Sequence, residues 1–545
     1  MSPPEPRPRE GGLAPLLLEA LPRLYATAAD PALQELIAAL AAALERGSLE
    51  LDLEGPPPPQ VEPAGWPERH RAALARSPLA APHAPLVLVD GRHLRWRRWH
   101  GQMEAVLEAL VQRALTPLEP LPEQADLRQA RQAAAARGLD PQQQQAVVAA
   151  LRGGLLLLGG GPGTGKTSTV VEILASQLRR QPALRLHLAA PTGKAATRLQ
   201  EAVRRGAADL EPPLRKRLGP ISATTLHRLL ESNGERFGRH RRHPLDLDLL
   251  VVDELSMVDL PLMEALLEAL PAPARLVLVG DPAQLPPVGP GAVLLELQRP
   301  ERQEALGEAC VLLRTTYRNA GAIADLAQEL RHWSEPGLRQ LAGPLAQLPP
   351  QGNLRWHPAR PADGLPAAVL EPLRRRQRQL ERLATAAGQE EEEGGPALEA
   401  LLAALGELLV LAPLRRGRWG VETIHAAVLG ASASGGAGRW PVGTPVLCCR
   451  NLPDLGLANG DLGVLLRQPH GEVRLVFGQV LRLHPAQLEG AVEPALALTV
   501  HKAQGSEAER VIVLLSDLDQ GDPRLLYTAL TRARREALLI TPPLP

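Results

Sequence analysis

The chain is poor in aromatic residues, cysteine and lysine, and each scarcity removes possibilities. Aromatics make up 2% of 545 residues, with only two Phe and three Tyr, so the cores must rest on Leu, Ala and Val. A hydrophobic fraction of 45% supports such cores, and the length fits three or four domains of roughly 100–200 residues each. Three cysteines, Cys310 alone and Cys448 beside Cys449, support neither a disulfide framework nor a four-cysteine zinc or iron–sulfur site. No run of about 18 uncharged apolar residues occurs, and the opening MSPPEPRPRE has no secretory pattern, so a cytoplasmic protein without membrane contact is expected. Sixty basic and sixty acidic residues cancel, which argues against a globally basic nucleic-acid binder and leaves only a local groove for that purpose. Among the sixty basic residues, only Lys166, Lys194, Lys216 and Lys502 are lysines. In a chain this dominated by Arg, retained lysines suggest work for a compact point charge, such as holding a phosphate.

Against these absences stands LLLLGGGPGTGKTSTVVEIL, Leu155 to Leu174. Four leucines read as a buried strand, and Thr169 to Leu178 as a helix with an apolar stripe. Gly160, Gly161, Pro162, Gly163, Thr164 and Gly165 lie between them, then Lys166 and Thr167, completing the G-x4-G-K-[ST] pattern. Glycines let the backbone wrap phosphate oxygens at a helix N-terminus, Lys166 reaches the β- and γ-phosphates, and the Thr167 hydroxyl sits on Mg²⁺. ATP and Mg²⁺ are the implied cofactors.

Further strands end in chemically useful groups. Leu247 to Val252 runs into Asp253-Glu254: one carboxylate suits Mg²⁺, and its neighbour suits deprotonating a water. Leu276 to Val279 leads to Gly280-Asp281 and Gln284, placed to sense a γ-phosphate at a strand's carboxyl end. Tyr317-Arg318 reads either as a base-stacking ring beside a phosphate-reaching arginine or as an ordinary loop. Gln143, ahead of the loop, reads either as an amide on the adenine edge or as a polar helix start. Thr192, Lys194, Thr224, Thr225 and His227 fall at successive strand ends, where they would either line a backbone-tracking groove or cap helices. Near the C-terminus, Thr499, His501, Lys502, Gln504, Gly505 and Glu507 cluster between two apolar segments. A helix carrying Thr528, Thr531, Arg532 and Arg534 follows, with an arginine able to cross a cleft onto the phosphate loop.

The remaining regions say less. Residues 1–135 hold predicted helices at Leu13–Leu24, Pro31–Glu45 and Gln102–Ala114 and a hairpin at 86–98, and read as a docking or structural domain. From 331 to 405 a charged helix and an acidic-glycine break at 390–395, expected as a surface loop, are the main features. Residues 441–485 alternate short strands with turns at 459–461 and 469–471. A small β-barrel is expected there, either gripping a strand or serving as a structural insert.

Taken in order, GGPGTGKTSTV, VVDELSMVD, GDPAQLPPVGPGAVL, LGLANGDLGV, TVHKAQGSEAERVIV and YTALTRARR resemble the superfamily 1 helicases, and among them the RecD subunits of exodeoxyribonuclease V. The resemblance covers about 138–335 and 405–545. It implies an α/β fold with two RecA-like parallel-sheet domains, 136–335 and 336–545. A mainly helical partner-docking domain would precede them at 1–135, and an SH3-like barrel would be inserted at about 441–490. It implies that Gln143 recognises adenine, Glu254 is the base, Gln284 the sensor, and Arg318 and Arg532 the fingers. Tyr317, Gly505 and Glu507 would border the nucleotide, while Thr192, Lys194, Thr225, His227, Thr499 and His501 would follow single-stranded DNA. It further implies 5′-to-3′ movement on a DNA tail or duplex end, and assembly with RecB-like and RecC-like subunits, the nuclease residing in the former. A stand-alone RecD-like helicase is the alternative, disfavoured by the short N-terminal region. Two positions depart from the family, His425 for Asn and Ala503 for Ser.

Overall fold

The computed structural model describes residues 13–25, 30–117, 119–234, 236–317, 321–333, 337–349, 352–390, 395–468, 471–478, 481–518 and 521–544. Arg318, most of the acidic-glycine break and the first two residues of the 469–471 turn therefore lie outside the description.

A six-stranded parallel sheet holds the phosphate loop. Its order across the sheet is Ala223–Thr225, Leu186–Ala190, Leu249–Val252, Arg275–Gly280, Leu155–Gly160 and Cys310–Leu313. Both faces are buried, so the central strands carry apolar runs instead of alternation. Leu156 and Leu158 pack into one core with helices Pro141–Arg152 and Lys166–Arg180, while Leu155 and Leu157 pack into another on the opposite face. That second face is covered in part by helix Arg97–Leu115, through Met103, Val106, Leu107 and Leu110. Helix Gln124–Ala136 joins the first face through Leu127, Ala130 and Ala134. The division expected at 135 is thus crossed by packing: about forty residues placed with the N-terminal domain cover the nucleotide-domain sheet.

What precedes Arg97 forms a separate core. Helix Pro31–Glu45 packs on a three-stranded antiparallel sheet of Glu50–Asp52, His93–Trp96 and Leu86–Val89. Glu50 ties this module to the rest, accepting from Arg95 and from Arg299, whose NH2 lies 3.0 Å away. At Gly47 a Cβ would come within 2.8 Å of the Pro287 carbonyl, so glycine allows the module to meet the 287–291 loop backbone to backbone.

The second parallel sheet has five strands in the order Leu354–Pro358, Ala533–Thr541, Ala508–Leu514, Leu408–Ala412 and Leu498–Thr499. Helix Ala322–Leu330 packs into its core beside Tyr527 and Leu530. The chain therefore passes to the second sheet soon after Leu313, ahead of the expected boundary at 335. Helix Pro523–Leu530 ends before Arg532, and Arg534 lies on strand Ala533–Thr541, not on the helix expected to carry it.

The insertion is an antiparallel sheet of Leu481–Leu483, Val473–Phe477, Leu462–Arg467, Pro445–Cys448 and Val492–Pro494, in that order. No ladder joins its two outer strands among the described residues, so the pairing is that of an open sheet. One face has its own core around Trp440, Leu465 and Phe477; the other is covered by helices Ala367–Gln389 and Pro396–Leu405. The poorly legible 336–405 region is thus divided: residues up to Leu373 belong to the second sheet and its cores, and Leu380 onward supports the insertion. Gly388 makes the close approach: a Cβ there would lie 2.1 Å from the Arg467 carbonyl oxygen. Gly388→Ala should force helix and sheet apart at a cost of about 1–3 kcal/mol, read as a lower midpoint in denaturant. Among the described residues no helix is long and apolar enough to cross a membrane.

Candidate nucleotide and nucleic-acid site

The order of the first sheet separates two kinds of chemistry. Its central strands end at Asp253-Glu254, Asp281 and the phosphate loop, while its outer pair ends near Thr192 and Thr225. Ligands collect at the carboxyl ends of parallel strands, and here the middle and the flank differ in composition.

The phosphate loop closes on itself. Gly163 and Gly165 have φ of 74° and 81°, the left-handed region that Gly reaches without strain. Thr164 Oγ1 donates to the Gly161 carbonyl at 2.9 Å, and Lys166 Nζ donates to the carbonyls of Gly160 and Gly161 at 2.6 and 2.9 Å. Gln143 lies beneath the loop. Its Nε2 donates to the Thr164 carbonyl at 3.0 Å, and its Oε1 accepts from Asp140 N–H at 2.9 Å. Both ends of this amide are used in bracing the loop and capping the helix. Tyr317 stands half-exposed alongside, its N–H on the Gly163 carbonyl and its hydroxyl on Asp140 Oδ2 at 2.7 Å.

A cavity of about 520 Å³ gathers most of the expected nucleotide residues. Gly161 to Thr167, Asp253, Glu254, Gln284 and Tyr317 line it from the first sheet, and Glu507 and Arg532 from the second. Gly160 stays in the buried strand, and Gly505 stands aside, its carbonyl accepting from Arg198 at 2.8 Å. Burial, and next the neighbouring Glu254, push the Asp253 carboxyl up to about 6. Glu254 itself has φ of 54°, a left-handed backbone that costs a non-glycine residue about 1–3 kcal/mol and here turns its carboxylate at the strand end. Gln284 is buried with its Oε1 unpartnered. Arg532 is also buried; its Nε donates to the Thr528 carbonyl at 3.0 Å, which aims the guanidinium along the cleft wall.

Several cross-cleft groups had no sequence signal. Arg198, on helix Gly193–Ala207, pairs with Glu507 at 2.6 Å. Leu285 N–H donates to Thr528 Oγ1, and Gln504 Nε2 to the Leu285 carbonyl, so one loop of the first sheet is stitched to the second. Tyr527 donates to Asp281 Oδ2 at 2.7 Å and accepts from Arg331. Tyr527, one of three tyrosines, could have been singled out; Arg331 and Arg198 are anonymous among so many arginines.

The flank behaves differently. Thr192 and Thr225 both cap helices, accepting from the N–H groups of Ala195 and Arg228. The capping reading holds for both, and each hydroxyl keeps its own O–H for a further partner. Burial lowers the pKa of His227 and of His501. Thr499 ends the outermost strand of the second sheet and caps Lys502 N–H. Lys502 is not a phosphate-directed charge in this geometry. Its Nζ lies 2.6 Å from Glu493 Oε1. His425 Nε2 sits 3.0 Å from the Ala497 carbonyl and thereby supports the strand bearing Thr499, and Ala503 is fully buried.

Burial, then Arg198, pull the Lys194 ammonium down to about 8. If Lys194 meets a phosphate backbone, the charged form is the binding form. Affinity for a single strand should then be flat below pH 8 and fall above it, by at most about tenfold per pH unit, until the bound ammonium also titrates. Fluorescence anisotropy of a labelled oligonucleotide between pH 6.5 and 9.5 measures this, and Lys194→Arg should flatten the profile.

Two family models match the chain: an AAA domain over residues 143–290 and a UvrD-like helicase C-terminal domain over 494–540. These spans hold the cavity-lining residues named above except Tyr317. The RecBCD enzyme subunit RecD of Mycolicibacterium smegmatis is 37% identical, covering 97% of this chain and 93% of that protein. The chain belongs to the RecD family. The RecD subunit of Mycobacterium tuberculosis is 36% identical over 88% of this chain and 81% of its own length. The ATP-dependent RecD2 DNA helicase of Deinococcus radiodurans is 33% identical over 69% of this chain, but only 45% of that protein is covered. This RecD-family chain is a superfamily 1 DNA helicase that hydrolyses ATP, and the cavity between its two parallel sheets has the composition that reaction needs.

Proposed function

We propose that the chain is the 5′-to-3′ motor subunit of a RecBCD-type complex acting on double-strand ends in the cytoplasm. The observation that carries the motor reading is the single cavity in which Lys166, Asp253, Glu254 and Gln284 face Arg532 from the other sheet. Lys166 and the loop amides hold the nucleotide phosphates; Tyr317 borders its base. Gln143 keeps one N–H and one oxygen lone pair beyond its two internal hydrogen bonds, and adenine recognition draws on these. The Thr167 hydroxyl and the Asp253 carboxylate hold Mg²⁺. They fit this ion: both are hard oxygen donors on one cavity wall, the kind of ligand that would hold it. Burial of Asp253 without a cation is costly, which the raised carboxyl pKa expresses. The ion, once bound, neutralises charge at the phosphates. Glu254 accepts the proton of a water that Gln284 Oε1 orients, and Arg532, with Arg318, stabilises the charge that develops.

In this reading Arg198–Glu507 and the Leu285–Thr528 stitch transmit closure to the flanking groove, where Thr192, Lys194, Thr225, His227, Thr499 and His501 follow the strand. The insertion, an open antiparallel sheet, stands at the groove: a Cβ on Gly193 would lie 2.7 Å from Ala458 Cβ. The domain division is 13–96 for partner docking, then two motor domains that meet between Leu313 and Ala322.

Assembly with RecB-like and RecC-like subunits is supported by 37% identity over 97% of this chain to a protein named RecBCD enzyme subunit RecD. Co-expression with those partners and helicase assays on 5′- and 3′-tailed duplexes test both halves. Unwinding confined to 3′ tails would sink the polarity. Robust unwinding by the isolated chain, with no recovered partner, would favour the stand-alone alternative.

A further inference from the structure

Two cations converge on Gly161. Lys166 reaches its carbonyl from within the loop, as described, and Arg331 comes from the other side of the cleft. An ideal Cβ on Gly161 would lie only 1.6 Å from Arg331 NH2 and 3.2 Å from the Tyr527 hydroxyl. The guanidinium therefore rests on the backbone of the loop's second residue, in the space a side chain there would take.

Arg331 follows helix Ala322–Leu330, whose Leu330 is buried in the second sheet's core together with Tyr527. It is delivered across the cleft, as Arg532 is, but its tether differs. Nε and NH2 both donate to the Tyr527 hydroxyl, at 3.2 and 2.8 Å, and the guanidinium carbon lies 5.3 Å from the ring centroid. A neutral phenol is a weaker acceptor than a phosphate oxygen, and a bidentate arginine–phosphate pair is among the strongest contacts a guanidinium makes. Tyr527 in turn donates to Asp281 Oδ2, which also accepts from Gln284 Nε2 at 3.4 Å. An unbroken chain thus runs from the arginine over the loop to the sensor glutamine.

We propose that Arg331 is a further phosphate-contacting arginine of this site: its guanidinium exchanges the Tyr527 hydroxyl for oxygens of a nucleotide's terminal phosphate at Gly161. The exchange draws helix Ala322–Leu330, and with it the second sheet, onto the loop. A diphosphate has no γ-phosphate to place there and leaves Arg331 on Tyr527. This rests on the nucleotide reading of the cavity given above.

The test compares binding of mant-labelled ADP and mant-labelled AMP-PNP to the full chain, with thermal denaturation alongside. Arg331→Gln should weaken the triphosphate analogue roughly 10- to 100-fold, as expected for hydrogen bonds to a charged group, while ADP stays within about twofold. Arg331→Lys, a point charge in place of a fork, should recover part of the loss, and carries the test should the glutamine variant fail to fold. Tyr527→Phe removes the tether and keeps the cation, so it should bind the analogue as tightly as the parent or more so. Equal weakening of both nucleotides by Arg331→Gln overturns the proposal. So does a matching loss in Tyr527→Phe, which would make Arg331 a support acting through the tyrosine. If the parent chain binds neither nucleotide, or if Lys166→Gln binds both unchanged, the nucleotide reading itself fails; the two failures are distinguishable.

Discussion

Lys166→Gln is expected to abolish DNA-stimulated ATP hydrolysis, lowering kcat by roughly 10²–10³-fold or more. The magnitude follows from what the ammonium can do that an amide cannot. It places a full positive charge against the β- and γ-phosphates as negative charge shifts between them, in a water-poor cleft where that charge counts most. Folding should be little affected. The Lys166 hydrogen bonds described go to two carbonyls of its own loop, at 2.6 and 2.9 Å, and their net worth is about 1 kcal/mol each. A phosphate-release assay with and without single-stranded DNA, paired with a melting curve, checks both halves. Unchanged hydrolysis would remove the loop from the chemistry, and with it the enzymatic reading of the cavity.

Arg532→Lys should be nearly as severe, about 10³–10⁵-fold in kcat, with nucleotide affinity largely retained. Lysine is the stringent substitution because it keeps the charge and loses the fork. Arg532 is held by the Thr528 carbonyl at 3.0 Å and, more loosely, by Ser506 and Thr531, an arrangement that needs several N–H groups at fixed angles. A single-turnover measurement separates the slowed step from binding. If the lysine variant turns over like the parent, Arg532 shapes the cleft without touching the reacting phosphate.

The parts legible in the sequence were those where a strand ends in a chemical group. Asp253, Gln284 and the phosphate loop follow uninterrupted apolar runs, and parallel sheets put such run-ends on one edge. What stayed illegible depends on folding over longer distances. Helix Arg97–Leu115 has an ordinary apolar stripe, and nothing local says that it packs on a sheet beginning forty residues later. Lys502 sits in a run of functional residues, yet Glu493, nine residues upstream across a turn, claims its charge. Gln143 was read by position; its amide also braces the loop and closes the helix cap with Asp140, a structural use that the sequence position did not show. Arg331 meets Gly161 across 170 residues of chain, so no spacing rule could pair them. Such pairings are made by the cleft, which exists only once both sheets are built.

The strand order of the first sheet also sets a mechanical scale. The phosphate-loop strand and the strand ending at Thr225 are separated by three others, and strands lie about 4.8 Å apart, so the lever between fuel and track is roughly 19 Å. One nucleotide occupies about 3.4 Å along a strand. A swing of about 10° pivoting at the phosphate loop would therefore carry the strand end at Thr225 by about that distance.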